Sequence, residues 1–203
     1  GKEIAENTIE KYRAEKGEYP DRVGMVLWGF ETSNSGGETI GQILSYMGVH
    51  VSRKAGAWFP ELKVIPLGEL GRPRVDCHVS ICGFFRDMFP NIMQMINQAV
   101  ALVSALDEPE EMNFVKKHSR ENLESLNGQL AEGLLDEKTA KKLSTARIYG
   151  PHAGEYGTRV LGLMEDSVWK DEADLAEVYM ASMSHVYVDT IHGESQRALY
   201  ENN

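Results

Sequence analysis

One stretch of the chain, residues 75 to 118, constrains the fold more than any other part. It opens with residues 75 to 82 (VDCHVSIC), which mix β-branched and small apolar residues in a run short enough for a strand. Gly83 then lets the backbone turn, and Pro90 suits the first turn of a helix because its missing N–H would have no partner there. We therefore expect residues 84 to 89 to form a loop at the carboxyl end of a sheet strand, where open α/β sheets bind their ligands.

The pattern around this stretch predicts the fold class. Residues 23 to 28 (VGMVLW) indicate a strand, residues 40 to 47 the buried face of a helix, and residues 49 to 51 and 63 to 65 two more strands. Alternating strands and helices with short connections predict an α/β fold, with an open, mostly parallel sheet and flanking helices, of the flavodoxin-like or Rossmann-like kind. After Pro90, apolar residues at spacings of three and four predict a long helix with one buried face. They are Ile92, Met95, Ile96, Ala99, Val100, Val103 and Leu106.

The chain divides into three parts. Residues 1 to 20 predict an N-terminal helix and linker, residues 21 to 118 an α/β domain, and residues 119 to 203 a mainly helical segment. Residues 147 to 157 (RIYGPHAGEYG) interrupt the last part with three glycines and a proline, and such loops often present functional groups from a fixed scaffold. Asp171 is predicted to cap a later helix. The apolar stripe of that helix is predicted to consist of Leu175, Val178, Tyr179 and Val186.

Composition and charge argue against several classes of protein. The chain has 203 residues and a formal net charge of −10, which disfavours a non-specific nucleic-acid binder because that needs a basic face for the phosphates. No apolar run approaches the roughly twenty residues of a membrane span. Cys77 and Cys82 would lie about 17 Å apart on an extended strand, too far to pair. A reducing cytoplasm is therefore the expected location.

A glycine-rich segment, GFETSNSGGETIG at residues 29 to 41, has the position of a phosphate-binding loop but not its sequence. It contains neither G-x-x-x-x-G-K-[ST] nor G-x-G-x-x-G, and Glu31 and Glu38 would repel phosphate. We therefore do not expect the segment to bind a nucleotide.

Five long motifs occur in an order that resembles a known family. FFRDMFPN (residues 84 to 91) and DEPEEMNFVKKH (107 to 118) are joined by YPDRVGMVLWG (19 to 29), VIPLGELGRPRVD (64 to 76) and ARIYGPHAGEYGT (146 to 158). Together they resemble the large subunit of the ATP-dependent metal chelatases, the family of the CobN subunit of cobaltochelatase and the H subunit of magnesium chelatase. Those subunits are many times longer, so the chain is expected to be an internal fragment, inactive alone.

The resemblance implies insertion of a divalent metal, Co²⁺ or Mg²⁺, into a corrinoid or porphyrin ring. It also implies AAA+ partner subunits that use the ATP, bridging chelatase subunits, and further domains of the same large subunit. Cobalt is slightly favoured because it prefers nitrogen donors. However, GFFRDMFPN is more similar to the cobaltochelatase sequences and MNFVKKH to the magnesium chelatase sequences, so the identity of the metal stays open. A flavodoxin-like binding module and a purely docking module remain as alternatives.

Metal insertion needs groups that hold the metal over the ring and accept two pyrrole protons, for which carboxylates and neutral imidazoles are suitable. The candidate catalytic residues are Glu38, Glu111 and His118, and the candidate metal ligands are Glu38, His118 and His152. Glu38 has an alternative role as a first-turn residue stabilised by the helix dipole. Glu111 and His118 lie on one helical face with about 10.5 Å of rise between them, so they can line one groove but are badly spaced to bind one ion.

Candidate substrate-binding residues follow from the same resemblance. Arg86, beside Asp87, is expected either to brace its loop through backbone groups or to bind a tetrapyrrole carboxylate with its planar fork. Arg147 is a candidate for a second carboxylate. Tyr149 and Tyr156 are candidates for stacking on the macrocycle, with space-filling as the alternative.

Overall fold

The computed structural model describes residues 1–52 and 61–202. Its centre is a five-stranded sheet in the order β1-β4-β5-β6-β7, in which β1, β4 and β5 are parallel, β6 is antiparallel to β5, and β7 is antiparallel to β6. A mixed sheet with helices around it confirms the predicted α/β class. The strands of this sheet are β1 (Arg22–Leu27), β4 (Asp76–Ile81), β5 (Ile148–Gly150), β6 (His185–Val188) and β7 (Ile191–Ser195).

Two further strands, β2 (Val49–Ser52) and β3 (Glu61–Val64), pair with each other in a separate antiparallel ladder. The strands predicted at residues 49 to 51 and 63 to 65 are therefore present but stand apart from the main sheet. The stretch between them is too short for the crossover that a parallel neighbour would need.

Helices surround the strands. None within residues 1–52 and 61–202 is long and apolar enough to cross a membrane. A 3₁₀ turn, Glu110–Met112, precedes the seventh helix. In chain order the helices are α1 (Lys2–Lys16), α2 (Gly29–Ser35), α3 (Glu38–Tyr46), α4 (Leu67–Leu70), α5 (Gly83–Met88), α6 (Pro90–Ser104), α7 (Phe114–Ser125), α8 (Asn127–Ala131), α9 (Glu137–Ser144), α10 (Val160–Glu165), α11 (Glu172–Met183) and α12 (Arg197–Asn202).

Both faces of the sheet are buried. Ile148 and Tyr149 are neighbours in β5 and point to opposite faces, because side chains alternate along a strand. Ile148 belongs to a core cluster that includes residues of α3 and α6, whereas Tyr149 belongs to a second cluster with residues of α9 and α12. Strand β4 is accordingly buried along nearly its whole length, although its polar residues Asp76, His78 and Ser80 alternate with apolar ones.

The long helix α6 forms as its spacing predicts. Pro90 is its first residue, and four of the predicted apolar residues, Ile96, Ala99, Val100 and Val103, are buried. The remaining three, Ile92, Met95 and Leu106, are partly buried against the same cluster. Met93, which the spacing did not single out, is also buried.

Three local expectations need correction. The loops predicted at residues 84 to 89 and in the glycine-rich segment are the short helices α5 and α2. Val186 belongs to β6 rather than to the stripe of α11, although Asp171 does cap that helix by accepting hydrogen bonds from two backbone N–H groups. Strands β5, β6 and β7 also carry the main sheet past the expected boundary at residue 118.

Two buried arginines of the GRPRVD motif tie the elements together. Arg72 makes a bidentate ion pair with Glu6 of α1 at 2.9 and 2.7 Å. Arg74 makes another with Glu108, with both bonds at 2.8 Å, and also donates to the carbonyl oxygen of Ile65 after β3. These side chains fasten α1, the β2–β3 ladder and the segment before α7 to the start of β4.

Candidate functional site

The predicted site residues lie at two opposite ends of the parallel strands. Arg86, Asp87, His152 and Tyr156 follow the carboxyl ends of β4 and β5, whereas His118 contacts Asp76, the first residue of β4. The six residues of β4 separate the two ends by about 17 Å at about 3.3 Å per residue.

Glu38 and Glu111 also fall at different ends. The backbone N–H of Val75, just before β4, donates to the carbonyl oxygen of Tyr46 at the end of α3, so Glu38 at the start of α3 lies towards the carboxyl ends. Glu111 lies in the 3₁₀ turn whose Met112 accepts a hydrogen bond from Arg74, at the amino end.

The structure therefore does not bring the three candidate metal ligands together. Glu38 and His152 lie at one end of the strands and His118 at the other, so the three side chains cannot bind a single ion in this structure. Within the described part of the chain, no three His, Cys, Asp or Glu side chains gather closely enough to hold a metal.

Arg86 braces the loop at residues 147 to 157. Its side chain is 8% exposed. Its Nε donates to Asp87 at 2.7 Å, and its Nη1 donates to the carbonyl oxygens of Pro151, His152 and Glu155 at 3.3, 2.7 and 3.2 Å. The hydrogen bond to Asp87 raises the pKa of Arg86, and the same bond lowers the pKa of Asp87. Of the two predicted roles, the structure favours bracing over carboxylate recognition.

The braced loop presents Tyr156 to the surface. Its hydroxyl donates to Asp87 at 2.8 Å, while the side chain remains exposed. The Arg86 guanidinium lies 5.6 Å from the centre of the ring. Gly83 makes the close approach possible, because a Cβ at this position would lie 2.3 Å from the carbonyl oxygen of Glu155.

An aromatic surface continues from Tyr156 across the carboxyl ends of β4 and β1. The ring of Phe84 stacks on Phe30 with 4.8 Å between centroids. Phe30 is 72% exposed and Trp28, which precedes α2, is 59% exposed. We call Trp28, Phe30, Phe84 and Tyr156 the aromatic surface. The sequence alone did not identify Trp28, Phe30 and Phe84 as site residues, although Phe30 and Phe84 each follow a predicted strand closely and were a usable signal.

Tyr149 does not belong to this surface. It is fully buried in β5, where its ring stacks on His78 with 5.0 Å between centroids and meets Tyr200 edge-on at 5.2 Å. Its predicted alternative role, space-filling, is the one that the structure supports.

At the amino end, a buried network holds α7 against β4 and β5. Asp76 and Arg147 are 0% exposed and His118 is 4% exposed. The Nε of Arg147 donates to both carboxylate oxygens of Asp76, at 2.9 and 2.8 Å, and Nδ1 of His118 lies 2.9 Å from Oδ2. Burial alone would raise the pKa of Asp76, but the charge of Arg147 and the hydrogen bonds from both partners lower it.

The same network corrects the predicted role of Arg147. Its Nη1 and Nη2 donate to the carbonyl oxygens of Ser144, Ala146 and Val115 and to the hydroxyl of Ser119. With every nitrogen engaged and no exposed surface, this arginine cannot reach a substrate carboxylate here. His118 is likewise enclosed, with its Nε2 3.8 Å from the exposed carboxylate of Asp21.

A groove of about 1290 Å³ lies between α6, α7, α9 and the turn between β6 and β7. Its apolar lining residues include Met93 and Leu123. Basic side chains dominate its charged lining, in which Asp189 is the single acidic residue among those that the structure describes. They are Lys116, Arg120, Lys138, Lys141 and Lys142. This basic groove was not predicted, because its walls come from segments far apart in the sequence.

Sequence comparison places this architecture in a family. The sequence model described as CobN/Magnesium Chelatase matches residues 1–203. The chain belongs to this family. The expected resemblance is therefore confirmed.

Three relatives illustrate the match. An uncharacterized protein of Methanocaldococcus jannaschii is 44% identical over 188 residues, which are 92% of this chain and 15% of that protein. The CobN subunit of aerobic cobaltochelatase from Sinorhizobium sp is 34% identical over 206 aligned positions, which cover 99% of this chain and 16% of that protein. The H subunit of magnesium chelatase from Chlorobaculum parvum is also 34% identical, over 199 residues, 98% of this chain and 15% of that protein.

A solved structure agrees with these relatives. The catalytic subunit of cobaltochelatase from Mycobacterium tuberculosis matches with a TM-score of 0.85 and 33% identity, over 99% of this chain and 16% of that one. The chain thus spans 15% to 16% of the length of the proteins compared. Identity to the cobalt and magnesium relatives is the same, 34%, so it does not separate the two metals.

Proposed function

We propose that this chain is part of the tetrapyrrole-binding large subunit of an ATP-dependent metal chelatase. The complex inserts a divalent metal, with cobalt favoured over magnesium, into a corrinoid or porphyrin ring. The observation that carries the proposal is the family match over residues 1–203. The remaining domains of the large subunit, a bridging subunit and AAA+ subunits that hydrolyse ATP complete the enzyme.

In this proposal the aromatic surface receives the flat face of the macrocycle. It lies at the carboxyl ends of parallel strands, the usual ligand position in open α/β sheets. Phe30 and Tyr156 are 72% and 61% exposed, and aromatic rings of this kind bind flat π-systems by stacking. Arg86 and Asp87 act as positioning residues, because they hold the loop that carries Tyr156.

Two groups at this end of the strands suit the chemistry, one as a proton acceptor and one as a metal ligand. Glu38 is half-exposed at the start of α3, and His152 is exposed in the braced loop. The carboxylate of Glu38 is a competent general base for the pyrrole protons, and the imidazole of His152 is a candidate metal ligand. An imidazole donor also suits cobalt better than magnesium, which prefers oxygen ligands, and this supports the preference for cobalt.

The proposal is tested by tetrapyrrole titration of the Trp28→Ala and Phe30→Ala variants, followed by tryptophan fluorescence or tetrapyrrole absorbance. Stacking on an aromatic side chain contributes about 1 to 3 kcal/mol, so each variant should raise Kd by about 5- to 150-fold.

Trp169→Ala is the matched control, because Trp169 is a partly exposed tryptophan, 39% exposed, that lies between α10 and α11. It should leave Kd unchanged. Equal affinity in the wild-type chain and both surface variants would refute the role of the aromatic surface.

The basic groove supports a second candidate function, as a docking module for an acidic amphipathic helix of a partner subunit. Five basic residues and one acidic residue line its described part, although the whole chain has a net charge of −10. The apolar and the basic side chains of its lining match the two faces of such a helix.

Charge reversal tests this candidate. A Lys138→Glu/Lys141→Glu variant should weaken capture of acidic subunit segments and remove its salt dependence. A Lys2→Glu/Lys11→Glu variant on α1 is the control, because it reverses the same number of charges outside the groove. Equal binding by both variants would refute docking in the groove.

A further inference from the structure

Two histidines meet beside the braced loop. His185 is the first residue of β6 and lies opposite Gly150 in the antiparallel β5–β6 pair. His152 comes two residues after Gly150, and side chains two residues apart in an extended chain face the same side. Their ring centroids are 5.4 Å apart and the ring planes are inclined by 75°.

The hydrogen bonds of the two rings fix their tautomers. Nδ1 of His152 lies 2.9 Å from the carbonyl oxygen of Ala153, and Nδ1 of His185 lies 3.1 Å from that of Ser182. A carbonyl oxygen can only accept, so each Nδ1 carries a proton, and in the neutral form of each ring Nε2 is then the nitrogen with the lone pair. Metal-binding histidines are held in the same way, with one ring nitrogen donating to a carbonyl and the other facing the metal.

The distance between the rings suits a shared ion. A ligand nitrogen lies about 2.1 Å from a divalent transition metal, which puts the ring centroid about 3.2 Å from it, and a tetrahedral angle then puts two centroids about 5.2 Å apart. The observed 5.4 Å agrees with this value.

The backbone at this position is held firmly. Nη1 of Arg86 donates to the carbonyl oxygen of His152 at 2.7 Å, and the hydroxyl of Tyr187 donates to that of Pro151. His185 is half-buried and His152 is exposed, so the pair is rigid on one side and open to solvent on the other. Tyr156 of the aromatic surface lies four residues further along the same loop.

We propose that Nε2 of His152 and Nε2 of His185 bind one late first-row divalent metal ion, of which Co²⁺ is the relevant case. Imidazole ligands suit such ions and not Mg²⁺. Two protein ligands leave the other coordination positions to water or to incoming nitrogens, so the ion is bound but can be released. If the proposed function is correct, this pair receives the substrate metal next to the ring.

The test is titration of the chain with CoCl₂ alone, followed by cobalt absorbance and by paramagnetic broadening of the histidine NMR signals. Wild type should bind saturably, with the signals of His152 and His185 broadened first. His152→Ala and His185→Ala should each weaken Co²⁺ binding by about tenfold or more. His185→Gln repeats the test with more of the side-chain volume retained, in case His185→Ala unfolds the chain.

His192→Ala is the matched control. His192 is another histidine of the same sheet, on β7, but its Nε2 faces the carbonyl oxygen of Asp189 at 2.8 Å and its ring lies beside Tyr187, not beside a second imidazole that could share an ion. This variant should bind Co²⁺ as wild type does. No saturable binding by wild type, or equal binding by all variants, would overturn the proposal. The titration contains no tetrapyrrole, so its outcome is independent of whether the chain binds a macrocycle.

Discussion

Replacing Asp76 with Asn should destabilise the protein more than any comparable surface change. The substitution removes the single negative charge that Arg147 and His118 share inside the protein. Asp76 and Arg147 are both 0% exposed, so the arginine would be left as a buried charge without its carboxylate. Breaking a buried pair in this way costs about 3 to 5 kcal/mol, a large part of the 5 to 15 kcal/mol, approximately, that keeps a domain folded.

Urea unfolding at neutral pH measures this loss. Asp76→Asn should lower the midpoint with little change in the slope, because the surface exposed on unfolding stays the same. Asp21→Asn is the matched control, since Asp21 is exposed and lies 3.8 Å from the same histidine. An exposed pair contributes about 0 to 1 kcal/mol.

The pH dependence gives a second check of the same network. The folded state lowers the pKa of Asp76, so its contribution is present above the unfolded value of about 3.9 and is lost as the pH falls through the lower, folded pKa. Wild type should therefore lose stability in that acid range, and Asp76→Asn should lose less of it. If urea unfolding shows that Asp76→Asn lowers the free energy of unfolding by less than about 1 kcal/mol, as Asp21→Asn does, the structural role given to this network is refuted.

Two further predictions concern the carboxyl end of the strands, and a third concerns the two cysteines. Gly83→Ala should destabilise the chain by about 1 to 3 kcal/mol in thermal unfolding, because its Cβ would lie 2.3 Å from a carbonyl oxygen of the braced loop; an unchanged melting temperature would contradict this contact. Arg86→Ala should speed proteolysis within residues 147 to 157, and Arg86→Lys should not restore protection because lysine lacks the planar fork. Equal cleavage rates in the wild-type chain and Arg86→Ala would show that other contacts hold the loop. Burial raises the pKa of the Cys77 thiol well above its ordinary value. A thiol reagent should therefore modify only Cys82 in the folded chain and both cysteines after unfolding. Rapid labelling of both cysteines in the folded protein would contradict this prediction.

The sequence predicted those features that depend on neighbours along the chain. Pro90 and the spacing from Ile92 to Leu106 determine α6 because a helix brings residues three and four apart onto one face. Asp171 was identifiable as a cap for the same local reason. Strand β6 was missed because Val186 lies at a spacing that also continues the apolar stripe of α11.

The site was harder to predict because its contacts are distant in sequence. Arg147 pairs with Asp76, 71 positions away, and Arg86 reaches a loop 65 to 69 positions away. The sequence marked both arginines but could not show which side chains surround them. His185 gave no signal of its own, since its relation to His152 depends on the pairing of β5 with β6.

The most direct test of the central claim is tetrapyrrole binding to this chain, measured by absorbance or fluorescence with hydrogenobyrinic acid diamide and protoporphyrin in parallel. We expect saturable binding of at least one ring, tighter for the corrinoid precursor, and weakened in Phe30→Ala but not in Trp169→Ala. Absence of saturable binding of either ring, in a chain shown by circular dichroism to be folded, would contradict the claim that the aromatic surface contributes to the tetrapyrrole site.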